Sequence, residues 1–338
     1  MLVPINPDPI EQAINKAIDF LHESQLPYGE FKTYASPHET MGEGIFDSSP
    51  YITSFVLYSL SFWANPKITA LTTKGINFLL SEMEGAGLWR YCSSRNEKNH
   101  LLFPPDVDDT CCIAFVLKQN QINFPSNINM LLANKANNGL LFTWFLPRST
   151  LPSEILVEIK RIVKPETFLY MIFVNGADNI CCVTNANTLL YLGENEHTQP
   201  IIDYLVQVGL TSQEHSCSLY LHNVFAIQYI ISRAYFHSAP SLVKIKKPIT
   251  DRILAQQTML GDFGGDMNTT FAICTLLNFD YQGAALDKAI HYLLTSQQAN
   301  GSWLQGSMFN DSVSYYGSEE LTTALAVEAL ARYLKLHK

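Results

Sequence analysis

The stretch KAIHYLLTSQQANGSW (Lys288–Trp303) reads as a helix with its own stop signal. An aromatic–Leu pair and its i−4 neighbours make one apolar face, and the Gly after the polar run supplies the left-handed conformation that closes a helix. The same template recurs as KAIDFLHESQLPYGEF (Lys16–Phe31) and KGINFLLSEMEGAGLW (Lys74–Trp89). It reads Lys, small, two variable, aromatic, Leu, three variable, usually Gln, three variable, Gly, one variable, aromatic. DRILAQQTMLGDF (Asp251–Phe263) keeps the second half, and LLANKANNGLLFTW (Leu131–Trp144) is a worn copy. The Gln is placed to bond backbone groups left open at the turn, and the closing aromatic to pack against a neighbouring copy. Trp89 and Trp303 are therefore read as scaffold.

Between the copies lie more apolar segments: YITSFVLYSLSF, DVDDTCCIAFVL, CCVTNANTLLYLG, LHNVFAIQYIISRAY, MNTTFAICTLLNF and ELTTALAVEALARYL. Each carries a Thr, Asn or Asp within its first four residues and reads as a buried helix. Six outer–inner hairpins of roughly fifty residues would use the whole chain. The expected fold is all-α, an (α/α)6 double barrel (toroid) of six helical hairpins, with residues 1–338 as one barrel domain. The six polar helix starts then share one mouth, and function is expected there. The third unit is longer, with FLPRSTLPSEILVEIKRIVKPET as an excursion near the rim.

Bulk properties narrow the function. The 338 residues are 47% hydrophobic and only 16% charged, which suits a large buried core. A net charge of −9 provides no basic stripe for phosphates, so no nucleic-acid partner is expected. The seven cysteines show no CxxC and no zinc-type Cys/His spacing, so no metal site is expected. They read as reduced, buried thiols of a cytoplasmic protein. The N-terminus lacks a basic and an apolar region of signal-peptide kind, and no apolar run reaches the length of a membrane span. Peripheral contact with a membrane stays open.

One motif carries chemistry. FPPDVDDTCCIAFVLK (Phe103–Lys118) gathers Asp106, Asp108 and Asp109 where an inner helix begins. A single Asp caps a helix by accepting backbone N–H groups at the positive end of its dipole. Two more carboxylates beside an apolar core cost several kcal/mol unless paired, so they need another reason.

These residues resemble the squalene–hopene cyclase family and the wider class II terpene cyclases. The repeat resembles the family's QW motif at Gln297, Gly301 and Trp303, and Asp106–Val107–Asp108–Asp109 matches its DxDD motif. The resemblance implies protonation-initiated cyclisation of a linear isoprenoid, with Asp108 as the proton donor and Asp106 and Asp109 supporting it. Flanking carboxylates and burial resist ionisation of the middle group, and the three titrate as a set. Aromatic faces would stabilise the advancing cation, with Phe309, Tyr315 and Tyr316 as lining candidates. The family commonly holds its acid with a His from the third inner helix; here that helix carries Asn185 and Asn187, and His222 opens the fourth. No cofactor is implied, and Mg²⁺ only if the substrate is a diphosphate, which Arg90 and Arg148 could then meet from their loops. Relatives of this kind often join two barrels. A lone barrel calls for a cover: a second copy as homodimer, a partner protein, a membrane surface, or the long third unit.

Other readings fit less of the sequence. A class I synthase needs DDxxD, which DDTCC lacks, and in NDSVSYYGSE the Glu319 is one residue out of register. A prenyltransferase β subunit needs an Asp beside Cys217 and His222 for zinc. A glycoside hydrolase would pair Asp108 with Glu319 or Asp266 across a cleft. From a different class, a non-catalytic isoprenoid- or protein-binding scaffold would make DVDD an over-built helix cap.

Overall fold

The computed structural model describes residues 7–97, 99–175, 178–311 and 313–337. In chain order it runs α1 (Pro7–Ser24), β1 (Tyr34–Ser36), β2 (Ile45–Phe46), α2 (Pro50–Leu60), α3 (Pro66–Ser81), α4 (Val107–Gln119) and α5 (Ile128–Ala133). Next come α6 (Ser153–Ile162), α7 (Pro165–Tyr170) with a π-helical turn (Met171–Asn175), α8 (Cys182–Leu192), α9 (Gln199–Thr211) and α10 (Val224–His237). The chain ends with α11 (Val243–Leu254), α12 (Asp266–Asn278), α13 (Ala284–Ser296), β3 (Phe309–Asn310), β4 (Tyr315–Gly317) and α14 (Glu319–Leu336).

Helices α2, α4, α8, α10, α12 and α14 pack each on the next, and α14 returns to α2, closing an inner ring. They are buried almost all round; every residue of α2 is buried. A helix apolar on all faces belongs inside other helices. The amphipathic partners α1, α3, α9, α11 and α13, with the short α5, stand outside, each burying one stripe. This is the all-α toroid.

The repeated residues hold the ring together through one recurring set of bonds. Gln25, Gln257 and Gln297 each donate to the Gly carbonyl four residues on and to a backbone carbonyl of the adjacent outer segment: Leu71, Ala285 and Ala13. The glycines make the next step. A Cβ on Gly29 would stand 2.1 Å from the Lys74 carbonyl oxygen, on Gly261 2.7 Å from that of Lys288, and on Gly301 2.4 Å from that of Lys16. All three also have positive φ, so the residue serves both turn and contact. Gly301 against Lys16 joins the last copy to the first. The backbone N–H of each closing aromatic, at Phe31, Trp89, Phe263 and Trp303, donates to a Thr hydroxyl of the following inner helix.

Two features depart from expectation. Four short strands form a sheet in the order β2-β1-β4-β3 over the mouth, between the loops that precede α2 and α14. Cysteine is the second. Cys182 and Cys217 form a disulfide, which corrects the reading of all seven as free thiols. The Cys182 N–H donates to the Cys217 carbonyl at 2.9 Å, and this ladder-like contact brings the two Cα atoms within 5.4 Å, inside bonding range. Cys92, Cys111, Cys112, Cys181 and Cys274 are free and buried. Among the described residues, no helix is long and apolar enough to cross a membrane.

Candidate active site

The starts of α2, α4 and α8, the loop before α10 and the β3–β4 hairpin surround a cavity of about 910 Å³, the open space at its mouth included. Its wall is chiefly apolar and aromatic, with carboxylates set into it.

Asp106 does the capping. Its extended backbone turns the chain into α4, and its Oδ1 accepts the Asp109 N–H at 2.7 Å. The segment before it is fixed by bonds from the Asp106 N–H to Trp89 and from the Val107 N–H to Thr143. Asp109 is buried beside Asp106, and two carboxyls this close resist ionising together. Burial raises both; Asp106, with its backbone N–H donors and the nearby Arg90 charge, is the better acceptor. The proton therefore rests on Asp109, which burial and the Asp106 charge push well up.

Asp108 lies one position round the same turn and borders the cavity. Burial and the neighbouring Asp106 charge push its carboxyl up to about 7. Three groups act the other way: Asn187 Nδ2 donates to Asp108 Oδ1 at 2.5 Å, the Tyr51 hydroxyl stands 3.4 Å from Oδ2, and the Arg233 charge lies behind Asn187. Arg233 donates to Asn187 Oδ1 at 2.7 Å and to Cys112 Sγ at 3.7 Å. It is buried and covered by the Phe55, Tyr58 and Tyr229 rings, whose centroids lie 4.2, 4.9 and 5.3 Å from its guanidinium carbon. Ring faces replace part of the solvation that such a cation loses. The order is Asp108, then Asn187, then Arg233, so an amide separates the acid from the cation.

An aromatic rail leads away from the acid. Tyr51 meets Phe309 edge-on at 6.1 Å; Phe309 stacks on Tyr316 at 4.9 Å and takes the edge of Tyr91 at 5.6 Å. On the opposite side, Trp144 stacks on Phe103 at 6.1 Å and meets Tyr220 at 5.9 Å. The third-unit excursion holds part of this rim: Thr167 bonds the Leu101 carbonyl, and Tyr170 meets Phe103 at 6.0 Å.

The structure brings Asn187 to Asp108 but not Asn185 or His222. Asn185 spends its amide on the Leu141 backbone and the Cys181 carbonyl, tying α8 to the third unit. His222 is exposed and precedes the Asn223 that caps α10. Phe309 and Tyr316 line the cavity; Tyr315 does not, because neighbouring side chains of strand β4 point to opposite faces. Arg90 is buried against Glu84 and the Phe103 and Ile162 carbonyls, and Arg148 pairs with Asp178. Sequence reasoning missed Arg233 and Tyr51. The signal for Arg233 was there, a cation inside the apolar run AIQYIISRAYF. Among the described residues no three His, Cys, Asp or Glu side chains are grouped to hold a metal ion.

No protein-family model matches the chain, and no curated protein matches it in sequence. Solved structures do match. The type II terpene cyclase MstE from Scytonema superposes with a TM-score of 0.72 at 15% identity, covering 98% of this chain and 100% of that one. A variant of it was solved in complex with geranylgeranyl dihydroxybenzoate, its substrate (TM-score 0.69, 16% identity, 98% of this chain and 99% of that one). The ent-copalyl diphosphate synthase from Streptomyces platensis matches at 0.58 and 16% identity, covering 84% of this chain and half of that one. A possible GH105-family member from Salmonella enterica serovar Paratyphi A matches at 0.58 and 11% identity, covering 100% and 97%. The chain therefore has the fold of the type II terpene cyclases, and that fold is shared with a different chemistry. What the cavity does has to be argued from its residues.

Proposed function

We propose that the chain is a class II terpene cyclase that protonates a linear isoprenoid or isoprenoid-bearing substrate, with Asp108 as the general acid. One observation carries this: a buried carboxyl, raised by its surroundings to about 7, at the wall of an aromatic cavity, with an amide on one oxygen and the other facing the rail. A helix cap needs neither Asp108 nor Asn187. A hydrolase pair would need a second carboxylate across a cleft. Glu319 and Asp266 do not line this cavity, and Asp266 accepts the Leu304 N–H; Asp47 and Asp311 do line it, each already accepting a tyrosine hydroxyl, from Tyr91 and Tyr316.

The chemistry follows from the positions. The Oδ2–H proton of Asp108 passes to the less substituted carbon of the substrate's terminal alkene, whose π pair forms the new C–H bond and leaves the tertiary carbocation. The carbocation left behind is attacked by the next alkene, so each C–C bond formed moves the positive charge further along the chain. Phe309, Tyr316 and Tyr91 present rings along that path. Loss of a proton ends the cascade, and Asp108 recovers one, so the net change is an isomerisation. Asn187 and the Arg233 charge stabilise the Asp108 carboxylate once its proton has left. MstE is matched from end to end, which supports a single barrel as a sufficient frame. The β-sheet and the third-unit excursion supply cover at its mouth.

The test is incubation in D₂O with polyprenyl substrates, comparing wild type and Asp108→Asn by mass spectrometry. A cyclic product carrying one solvent deuterium, absent with the variant, is expected. Cyclisation that persists in Asp108→Asn would remove Asp108 from the role.

A further inference from the structure

The far end of the aromatic rail carries its own charges. Beyond Phe309 the cavity wall holds Asp47 and Asp311, so that with Asp106, Asp108 and Asp109 it has five carboxylates. No Lys, Arg or His is among its described lining residues. Lys98, next in sequence to the lining residue Asn99, lies outside the described residues. Arg90 and Arg148 are engaged elsewhere, as described above.

Both outer carboxylates are fixed as acceptors. Asp47 takes the Tyr91 hydroxyl at 2.9 Å and the Asn96 amide at 2.7 Å. Asp311 takes the Tyr316 hydroxyl at 2.8 Å and the backbone N–H groups of Val313 and Ser314, each at 2.7 Å. An ionised carboxylate offers about four lone-pair sites and no donor, so Asp47, with two taken, and Asp311, with three, each keep capacity for at least one further O–H or N–H. The two tyrosines are themselves in edge contact, ring centroids 6.0 Å apart, which ties the carboxylates to the end of the rail. Elsewhere on the wall two buried polar atoms have no protein partner among the described residues, the Trp144 indole N–H and Asp109 Oδ1. Together the unmet groups ask for a ligand that donates as well as accepts. A diphosphate only accepts, and it would bring its negative charge against two fixed carboxylates.

We infer that the substrate's polar end is an unphosphorylated hydrogen-bond donor, an alcohol or phenol hydroxyl or an N–H, held by Asp47 and Asp311 while the other end of the polyene reaches Asp108. This rests on the isoprenoid reading above and names its head group. Hydroxyl and N–H share the recognising chemistry.

Binding and turnover separate the two readings. Geranylgeraniol, its methyl ether, geranylgeranylamine and geranylgeranyl diphosphate with and without Mg²⁺ are titrated into wild type, Asp47→Asn and Asp311→Asn, following intrinsic fluorescence. Geranylgeraniol or the amine is expected to bind at least about tenfold more tightly than the diphosphate, and to lose about tenfold in the Asp311→Asn variant, as befits one hydrogen bond to a charged group. The methyl ether, which cannot donate, should bind weakly and be indifferent to either substitution. Tighter or equal binding of the diphosphate, with or without Mg²⁺, overturns the inference, as does equal binding of alcohol and ether. Absence of measurable binding by both alcohol and amine overturns it too. If the alcohol binds as expected but no substrate gains deuterium in D₂O, the head-group assignment stands and the cyclase reading falls.

Discussion

Two arginines are buried inside the barrel, on inner helices α10 and α14, and they are treated differently. Arg332 meets a carboxylate directly, Glu328 at 3.0 Å, and donates to Asn278 at 2.7 Å, with Phe62 and Phe236 over its face. Glu328 in turn accepts from Ser59 and Tyr229. Arg233 bonds no carboxylate among the described residues; it holds Asn187, and its Nε lacks a partner among them. The first site is a satisfied network whose product is rigidity. In the second, an amide stands where a carboxylate would complete the pair. Had Asp108 met Arg233 directly, its carboxyl would sit below the usual carboxylate range rather than near 7. The spacing leaves the Asp108 carboxyl high and, on the cyclase reading proposed above, would still give its conjugate base a nearby cation. One site spends its charges on stability; the other, on the reading proposed above, spends them on a proton.

The sharpest way to break this contrast is Asp108→Asn. Deuterium-labelled product should fall by about 10³-fold or more, the range a positioned general acid contributes. Stability should move the opposite way. Asp108 is raised in the folded state, so between its ordinary value and about 7 the unfolded carboxyl is ionised while the folded one is not; its contribution to stability is present at low pH and lost as pH rises through that window. The variant should therefore melt higher than wild type at pH 7, with the gain shrinking towards pH 4. A variant that is both inactive and less stable at pH 7 would mark Asp108 as a structural residue.

Glu328→Gln attacks the other site. Removing one partner of a buried pair strands the other, at a typical cost of about 3 kcal/mol. A lower urea midpoint is expected, with deuterium incorporation per folded molecule unchanged. An unchanged midpoint would show that Asn278 and the rings over Arg332 suffice, and the two arginines would no longer differ in kind.

How far these sites could be read from the chain depends on which residues advertise themselves. The toroid was legible because Gln297, Gly301 and Trp303 recur with their spacing, and the bonds they make explain the spacing: Gly301 is needed because the Lys16 carbonyl lies where a Cβ would be. Asp108 was legible because three carboxylates exceed what a cap needs. Asn187 could not be told from Asn185, since both sit on one short helix two residues apart; a helical turn sends one inward to Asp108 and the other to the Leu141 backbone. Arg233 and Tyr51 come from other inner helices, and only ring closure brings them to α4. The β-sheet was invisible because its strands are two or three residues long and carry no period. The Cys182–Cys217 bond joins residues 35 apart with no spacing rule to announce it.

Asn187→Asp would turn the Arg233 site towards the chemistry of the Arg332 site, with a carboxylate against Arg233. Its charge would also stand beside Asp108, which loses an N–H donor, so ionisation of the acid becomes harder. Initiation should slow by roughly tenfold to a hundredfold, the worth of a hydrogen bond to a charged group, and Asn187→Leu should lose a similar amount. Both variants should carry activity to higher pH, since each removes the amide that lowers Asp108, and the aspartate variant further, by its charge. Identical pH profiles in the two variants would mean that Asn187 positions the acid without any part for charge.

The smallest expected effect tests the Arg233 field alone. General-acid chemistry needs Asp108 protonated, so kcat/KM should hold at low pH and decline as pH rises through about 7. Arg233 lowers Asp108, so Arg233→Met, which keeps much of the side-chain length between the Phe55 and Tyr58 rings, should move that decline up by roughly one pH unit. The rate at low pH should fall as well, because the departing proton leaves a carboxylate with Asn187 but no cation behind it. A merely structural arginine would lower the whole profile without moving its midpoint. The same substitution at Arg332 provides the control, since that charge belongs to Glu328. If Arg332→Met shifts the decline as far as Arg233→Met does, the charge reaching Asp108 is a property of the whole barrel interior, and the amide at Asn187 insulates nothing.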